Sequence, residues 1–205
     1  MTGDGPVGPD VSRETRARLE ILATLLKRWN PRINLVSRSS VPDLWVRHIR
    51  DSAQLLAHAP PRTAHWLDIG SGGGFPGLVI AAMMEERGAP QQITLVESDA
   101  RKCAFLRSVI REAGLAATVR AERIEDVPPL SATTISARAL APLPQLLEMA
   151  HRHAAPGATY LFPKGRRWHQ ELAEAKSGWS FDYEAVKSET EPDAVILKIG
   201  GLTRA

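Results

Sequence analysis

The sequence predicts an α/β fold: a mostly parallel sheet covered by helices, closed by an antiparallel pair of strands and preceded by a helical appendage. Three observations carry this. Short apolar runs at 65–69, 93–96, 117–121, 133–137 and 158–162 alternate with segments long enough for helices at 76–88, 99–113, 143–154 and 168–176. Strand–helix alternation of this kind means parallel strands joined by crossover helices. The last two runs, 179–186 and 194–199, are joined by only a short polar loop, 187–193, so they pair antiparallel and bring the strand number to seven. Ahead of Ala64 the pattern is purely helical.

The first helix starts at Ser12, a side-chain N-cap, and repeats Leu19, Leu22, Leu26 and Trp29 at helical spacing, with Pro31 expected to stop it. Ser40 is expected to cap a second helix with Pro42 at its first position, burying Trp45, Ile49, Ala53 and Leu56. Pro60-Pro61 closes this appendage. The chain therefore divides into a flexible tail (1–11, rich in Gly and Pro), a helical appendage (12–62) and an α/β domain (63–205).

Composition excludes several classes. One cysteine, Cys103, permits neither an internal disulfide nor a cysteine-rich zinc site. The start of the chain lacks a basic, apolar leader, and no apolar run approaches the roughly 20 residues needed to span a bilayer. A soluble, cytoplasmic protein is expected, without membrane contact and as a monomer. The six histidines form no ligand set, so no metal is expected. Net charge is +3, unevenly placed: residues 1–62 hold ten Lys or Arg against six Asp or Glu, and the remainder holds sixteen against seventeen. That surplus, with a second cluster at Lys164, Arg166 and Arg167, suits a phosphate backbone.

The chemistry centres on Trp66 to Gly77, WLDIGSGGGFPG, where an apolar strand runs into five glycines and then a helix. Glycines there let the backbone turn tightly and approach a ligand. Two registers overlap. Gly72-x-Gly74-x-x-Gly77 matches the dinucleotide fingerprint of an NAD(P)-dependent oxidoreductase. Asp68-x-Gly70-x-Gly72-x-Gly74 matches class I, Rossmann-like methyltransferases that use S-adenosylmethionine. The strand ends at Ile69, which makes Gly70 the turn glycine and favours the second register. Asp68 suits a cofactor with a cationic tail, Gly72 lies in the same loop, and Glu97 closes the second strand where a carboxylate can accept both ribose hydroxyls. The reaction is narrowed by absences. Neither Pro-Pro pair fits an exocyclic-amine site, and Cys103 lies inside a helix, suited to packing rather than attack. Guanine N7 needs no general base, because its lone pair is already free, and other unprotonated nucleophiles would leave the same blank.

Further stretches make the likeness more specific: Trp29-Asn30 with Asn34-Leu35, Val46 to Ser52 (VRHIRDS), Ser136 to Ala139 (SARA) and Pro163-Lys164-Gly165. From about Leu19 to Ile199 the chain resembles the RsmG (GidB) family, guanine-N7 methyltransferases of bacterial 16S ribosomal RNA. The resemblance implies a cofactor site at Gly70, Phe75, Ile124, Glu125 and Arg138, with Arg138 positioning the substrate and no general base. Candidates for holding RNA of the small ribosomal subunit are Asn34, Arg47, His48, Lys164 and Arg166. A catalytically silent RNA-binding protein on the same fold would leave the same residues.

Overall fold

The computed structural model describes residues 11–61, 63–87 and 92–205. The expected tail therefore lies outside the described residues, apart from Val11. Seven strands form one sheet in the order β3-β2-β1-β4-β5-β7-β6. These are β1 (His65–Ile69), β2 (Gln92–Val96), β3 (Thr118–Arg120), β4 (Ala132–Ser136), β5 (Ala154–Lys164), β6 (Trp179–Lys187) and β7 (Val195–Arg204). The first five run parallel, and β7 inserts antiparallel between β5 and β6. The seven-stranded α/β fold expected from the alternation is the one observed.

Both faces of the sheet are covered, as a parallel sheet requires. In β1, Trp66 enters one core while Leu67 and Ile69 enter the other, following the two-residue strand period. The second core takes the buried faces of α6 (Leu143–His151) and α7 (Trp168–Ala175). The first core takes α4 (Gly77–Met84) and α5 (Ala100–Ala113), and the N-terminal helices join it. Leu19, Leu22 and Leu26 of α1 (Arg13–Ile33) are at most 1% exposed and share that core with Leu78 and Phe105. Each fully buried leucine is worth about 1.5–3 kcal/mol. The appendage is thus part of the wall of the α/β layer.

Local departures from expectation have local causes. Ser12 caps α1, its Oγ accepting from Thr15 N at 3.0 Å. Pro31 does not stop the helix, which continues to Ile33 and ends at Asn34 with φ 50°. A proline in the last turn forfeits one donor and leaves only the final residues to be disturbed. Ser40 caps nothing. It closes a 3-10 turn (Arg38–Ser40), donating to Ser37 O at 2.8 Å, and the next helical segment starts at Trp45. That segment is a π-type turn (Trp45–Arg50) followed by α2 (Asp51–Ala53) and α3 (Leu55–His58). β5 starts four residues before the expected run because Ala154 pairs with Ala132 across an irregular register. Pro156 and Gly157 hide that start in the sequence. β7 passes Gly200-Gly201 through a bulge, with Gly201 at φ +61°, where two glycines read as a strand end.

Candidate functional site

The C-terminal ends of β1, β2 and β4 converge on the glycine loop. Gly70 turns the chain at φ +66°, where its N–H and that of Ser71 donate to Val96 O at 2.9 and 3.1 Å. Gly77 serves another need. A Cβ there would stand 2.7 Å from Asp68 Oδ2, so only glycine lets α4 start against β1. Asp68 is fully enclosed. One oxygen accepts from Ser136 Oγ at 2.7 Å and the other from Gly77 N at 3.2 Å, while Trp66 Nε1 donates to Ser136 Oγ at 2.9 Å. Burial, outweighing these bonds, pushes its carboxyl up to about 6. Asp68 braces the loop from inside: β1 alternation turns it toward α4, and it is not among the residues that line the cavity.

Glu97, at the end of β2, lies in the cavity wall at 8% exposure. Its Oε2 accepts from Gly72 N at 2.9 Å and its Oε1 from Asp99 N at 2.8 Å, which fixes the carboxylate and the loop together. Behind it, the buried Cys103 thiol donates to Glu97 O at 3.1 Å, a packing role as expected. Ile124 and Glu125 line the same wall. Their carbonyls are held from below, Ile124 O by His153 Nε2 at 3.1 Å and Glu125 O by Arg152 Nη1 at 2.5 Å.

The opposite wall is built around Arg138, just past β4. Its guanidinium donates to Asp51 Oδ2 and Arg47 O, both at 3.2 Å, and to His48 Nδ1 at 2.7 Å, and it lies 5.1 Å from the centre of the Phe75 ring. His48 Nδ1 accepts this bond, so its proton sits on Nε2, 2.8 Å from Ser40 Oγ. Burial and two nearby arginines, Arg138 and Arg47, lower His48 to about 4, which keeps the imidazole neutral. Asp51 also accepts from Thr190 Oγ1 at 2.6 Å and Gln54 Nε2 at 3.0 Å, and Gln54 Oε1 accepts from Glu189 N at 3.0 Å. Arg138, α2 and the β6–β7 loop thus form one latch. Asp51 stood inside a quoted sequence stretch without a role, and no local signal marked Gln54 or Thr190.

The RNA candidates separate. Arg47 stays 56% exposed at the cavity, paired with Glu191 at 3.6 Å. Lys164 lines the cavity at 8% exposure, its Nζ donating to Glu171 Oε2 at 2.8 Å and Ala141 O at 2.9 Å. Asn34, the left-handed cap of α1, and Arg166 are exposed but do not reach the cavity; Arg167 does.

These walls enclose an open cavity of about 920 Å³. That is the upper range for small-molecule sites, which run roughly 300–1,000 Å³. Among the described residues, no cluster of side chains could hold a metal ion and no helix is long and apolar enough to cross a membrane.

Solved structures share the fold. A SAM-dependent methyltransferase from Aquifex aeolicus matches with a TM-score of 0.60 at 13% identity, over 87% of this chain and 97% of that one. An O-methyltransferase from Bacillus cereus, solved in complex with SAH, matches with a TM-score of 0.60 at 14% identity, over 94% and 93%. Closer likeness comes from sequence. Relatives named ribosomal RNA small subunit methyltransferase G are 52% identical over 98% of both chains in a Ruegeria species and 55% identical over 95% of both in Ruegeria pomeroyi. The family model described as rRNA small subunit methyltransferase G matches residues 15–195, and the chain belongs to that family.

Proposed function

We propose that this protein transfers a methyl group from S-adenosylmethionine to N7 of a guanine in 16S ribosomal RNA, acting as a cytoplasmic monomer on the small ribosomal subunit. S-adenosylmethionine supplies a methyl group on a positively charged sulfur. The donor set fits such a molecule. Gly72 leaves room for close backbone approach beside the Gly70 turn, Glu97 offers a carboxylate at the end of β2, and Ile124 offers an apolar wall beside Glu125.

The observation that carries the N7 reading is the state of the titratable groups. His48 is neutral with both ring nitrogens engaged, Asp51 is held by Arg138, Thr190 and Gln54, and Asp68 is sealed below the loop. Within the latch His48 and Asp51 have no unengaged ring nitrogen or carboxylate oxygen, and Glu191 of the β6–β7 loop is paired with Arg47. Guanine N7 requires no proton removal, so the residues need only orient the base and exclude water. Arg138, fixed at three points, stands in the cavity wall against the buried Phe75 ring. Arg47 and Arg167 lie at the rim for the RNA backbone.

The test is mass mapping of 16S RNA from cells lacking the gene. One guanine should lose a single methyl, and restoring the gene should return it. An unchanged methylation map would overturn the proposal.

A further inference from the structure

Among the described residues, three large hydrophobic side chains are exposed: Val46, Leu140 and Tyr183. Only Leu140 lines the cavity. Its position is specific. A Cβ built on Gly70 would stand 2.6 Å from Leu140 Cδ1 and 2.9 Å from Cδ2, so the isobutyl group lies directly over the turn of the glycine loop. There it remains 40% exposed, facing the open cavity instead of the core.

The segment that presents it is fixed at both ends. Before it, Arg138 makes its three bonds to Asp51, Arg47 and His48. After it, Ala141 O accepts from Lys164 Nζ at 2.9 Å and Leu143 N donates to Glu171 Oε2 at 2.9 Å. Between them Ala139 adopts φ +52°, a left-handed conformation uncommon for residues other than glycine and asparagine. Strained backbone held by surrounding bonds is a common way of aiming a side chain at a site. The buried pair of Lys164 and Glu171 acquires a purpose here, since it anchors the segment that carries Leu140.

A flat purine that leaves its stack needs an apolar surface in exchange, and enzymes acting on a base commonly supply one with a side chain in the pocket. From the exposed placement of Leu140 over Gly70 at the mouth of the cavity, we infer that Leu140 is the platform on which the target base rests during methyl transfer. It is a base-positioning residue, and the Ala139 turn and the Lys164–Glu171 pair hold it in place. The inference rests on the proposed function, which supplies the base.

Covering the exposed two-fifths of a leucine should be worth about a three- to eightfold effect on turnover with RNA. The experiment compares the wild type with Leu140→Ala, Leu140→Met and the distant Tyr183→Ala, using small ribosomal subunits as substrate. Leu140→Ala should lower kcat/KM for RNA by that factor or more while thermal stability and S-adenosylmethionine affinity stay within about twofold of wild type. Leu140→Met should restore most of the loss, and Tyr183→Ala should leave the rate unchanged. Leu140→Ala with wild-type kcat/KM, or with cofactor affinity falling in step with turnover, would overturn the platform role. A wild type that methylates no ribosomal RNA would instead sink the proposed function and this inference with it.

Discussion

Removing Arg138 tests whether the latch is a real source of stability or a set of contacts that merely coexist. Arg138 and Asp51 pair at 3.2 Å with side chains only 17% and 16% exposed, so water screens them weakly. Charge-assisted hydrogen bonds contribute about 1.5–3 kcal/mol each, but three such bonds do not add, because water enters the space left by the side chain. Breaking a buried pair by removing one partner costs about 3–5 kcal/mol. With Asp51 retaining Thr190 and Gln54, we place Arg138→Ala at about 2–4 kcal/mol. For a chain of this size that is a melting temperature lower by roughly 4–16 °C, at about 2–4 °C per kcal/mol. Asp51→Ala should cost a similar amount and also loosen the β6–β7 loop. The assay is a double-mutant cycle by urea unfolding. The coupling between the two positions should be at least about 1.5 kcal/mol. Additivity within about 0.5 kcal/mol would mean that Arg138 and Asp51 share no energy, and the latch would be refuted.

Three further outcomes follow from the same contacts. Glu97→Ala should weaken S-adenosylmethionine binding about 100-fold by calorimetry, since it loses charged hydrogen bonds and frees Gly72, whereas Asp99→Ala should mainly cost its helix cap, about 1 kcal/mol of stability. In a salt titration of RNA binding, Arg47→Ala should flatten the slope by about one unit while Lys164→Ala leaves the slope unchanged, and equal slopes for both variants would contradict the separate roles given to them. The pH dependence of stability should show two opposed contributions. His48, lowered to about 4, binds its proton less readily folded than unfolded, so its contribution is lost as pH falls from about 6.5 to 4. Asp68, raised to about 6, binds its proton more readily when folded, so its contribution is lost as pH rises from about 4 to 6. His48→Gln should therefore make the protein gain relative stability toward pH 4, and a variant that follows the wild-type acid limb would contradict the burial of a neutral imidazole.

Much of the fold was legible because local chemistry and global packing agree. The step from the β1 run into five glycines marked the switch from a strand to a helix period, and Ser12 capped its helix as short polar residues do. Cys103 read correctly as packing because its neighbours gave it a buried helix position. What the sequence concealed were partners distant along the chain. Lys164 read only as a basic residue in the sequence, which could not show that Ala141 and Glu171, 23 and 7 residues away, engage two of its three donors. Asp68 matched a cofactor pattern, yet the pattern is required by Gly77 and Ser136, whose donors meet it beneath the loop. Leu140 carried no motif at all. Its exposure and the left-handed turn at Ala139 appear only in three dimensions.

The proposed transfer of a methyl group to guanine N7 removes no proton at this cavity. Its most direct test is methyl transfer in purified components, using S-adenosylmethionine labelled in the methyl group and small ribosomal subunits from cells lacking the gene. After complete digestion, the label should be found in 7-methylguanosine alone, approaching one methyl per subunit, and NAD should neither bind nor compete. Label in any other nucleoside, or no transfer while S-adenosylmethionine binds, would refute transfer to N7.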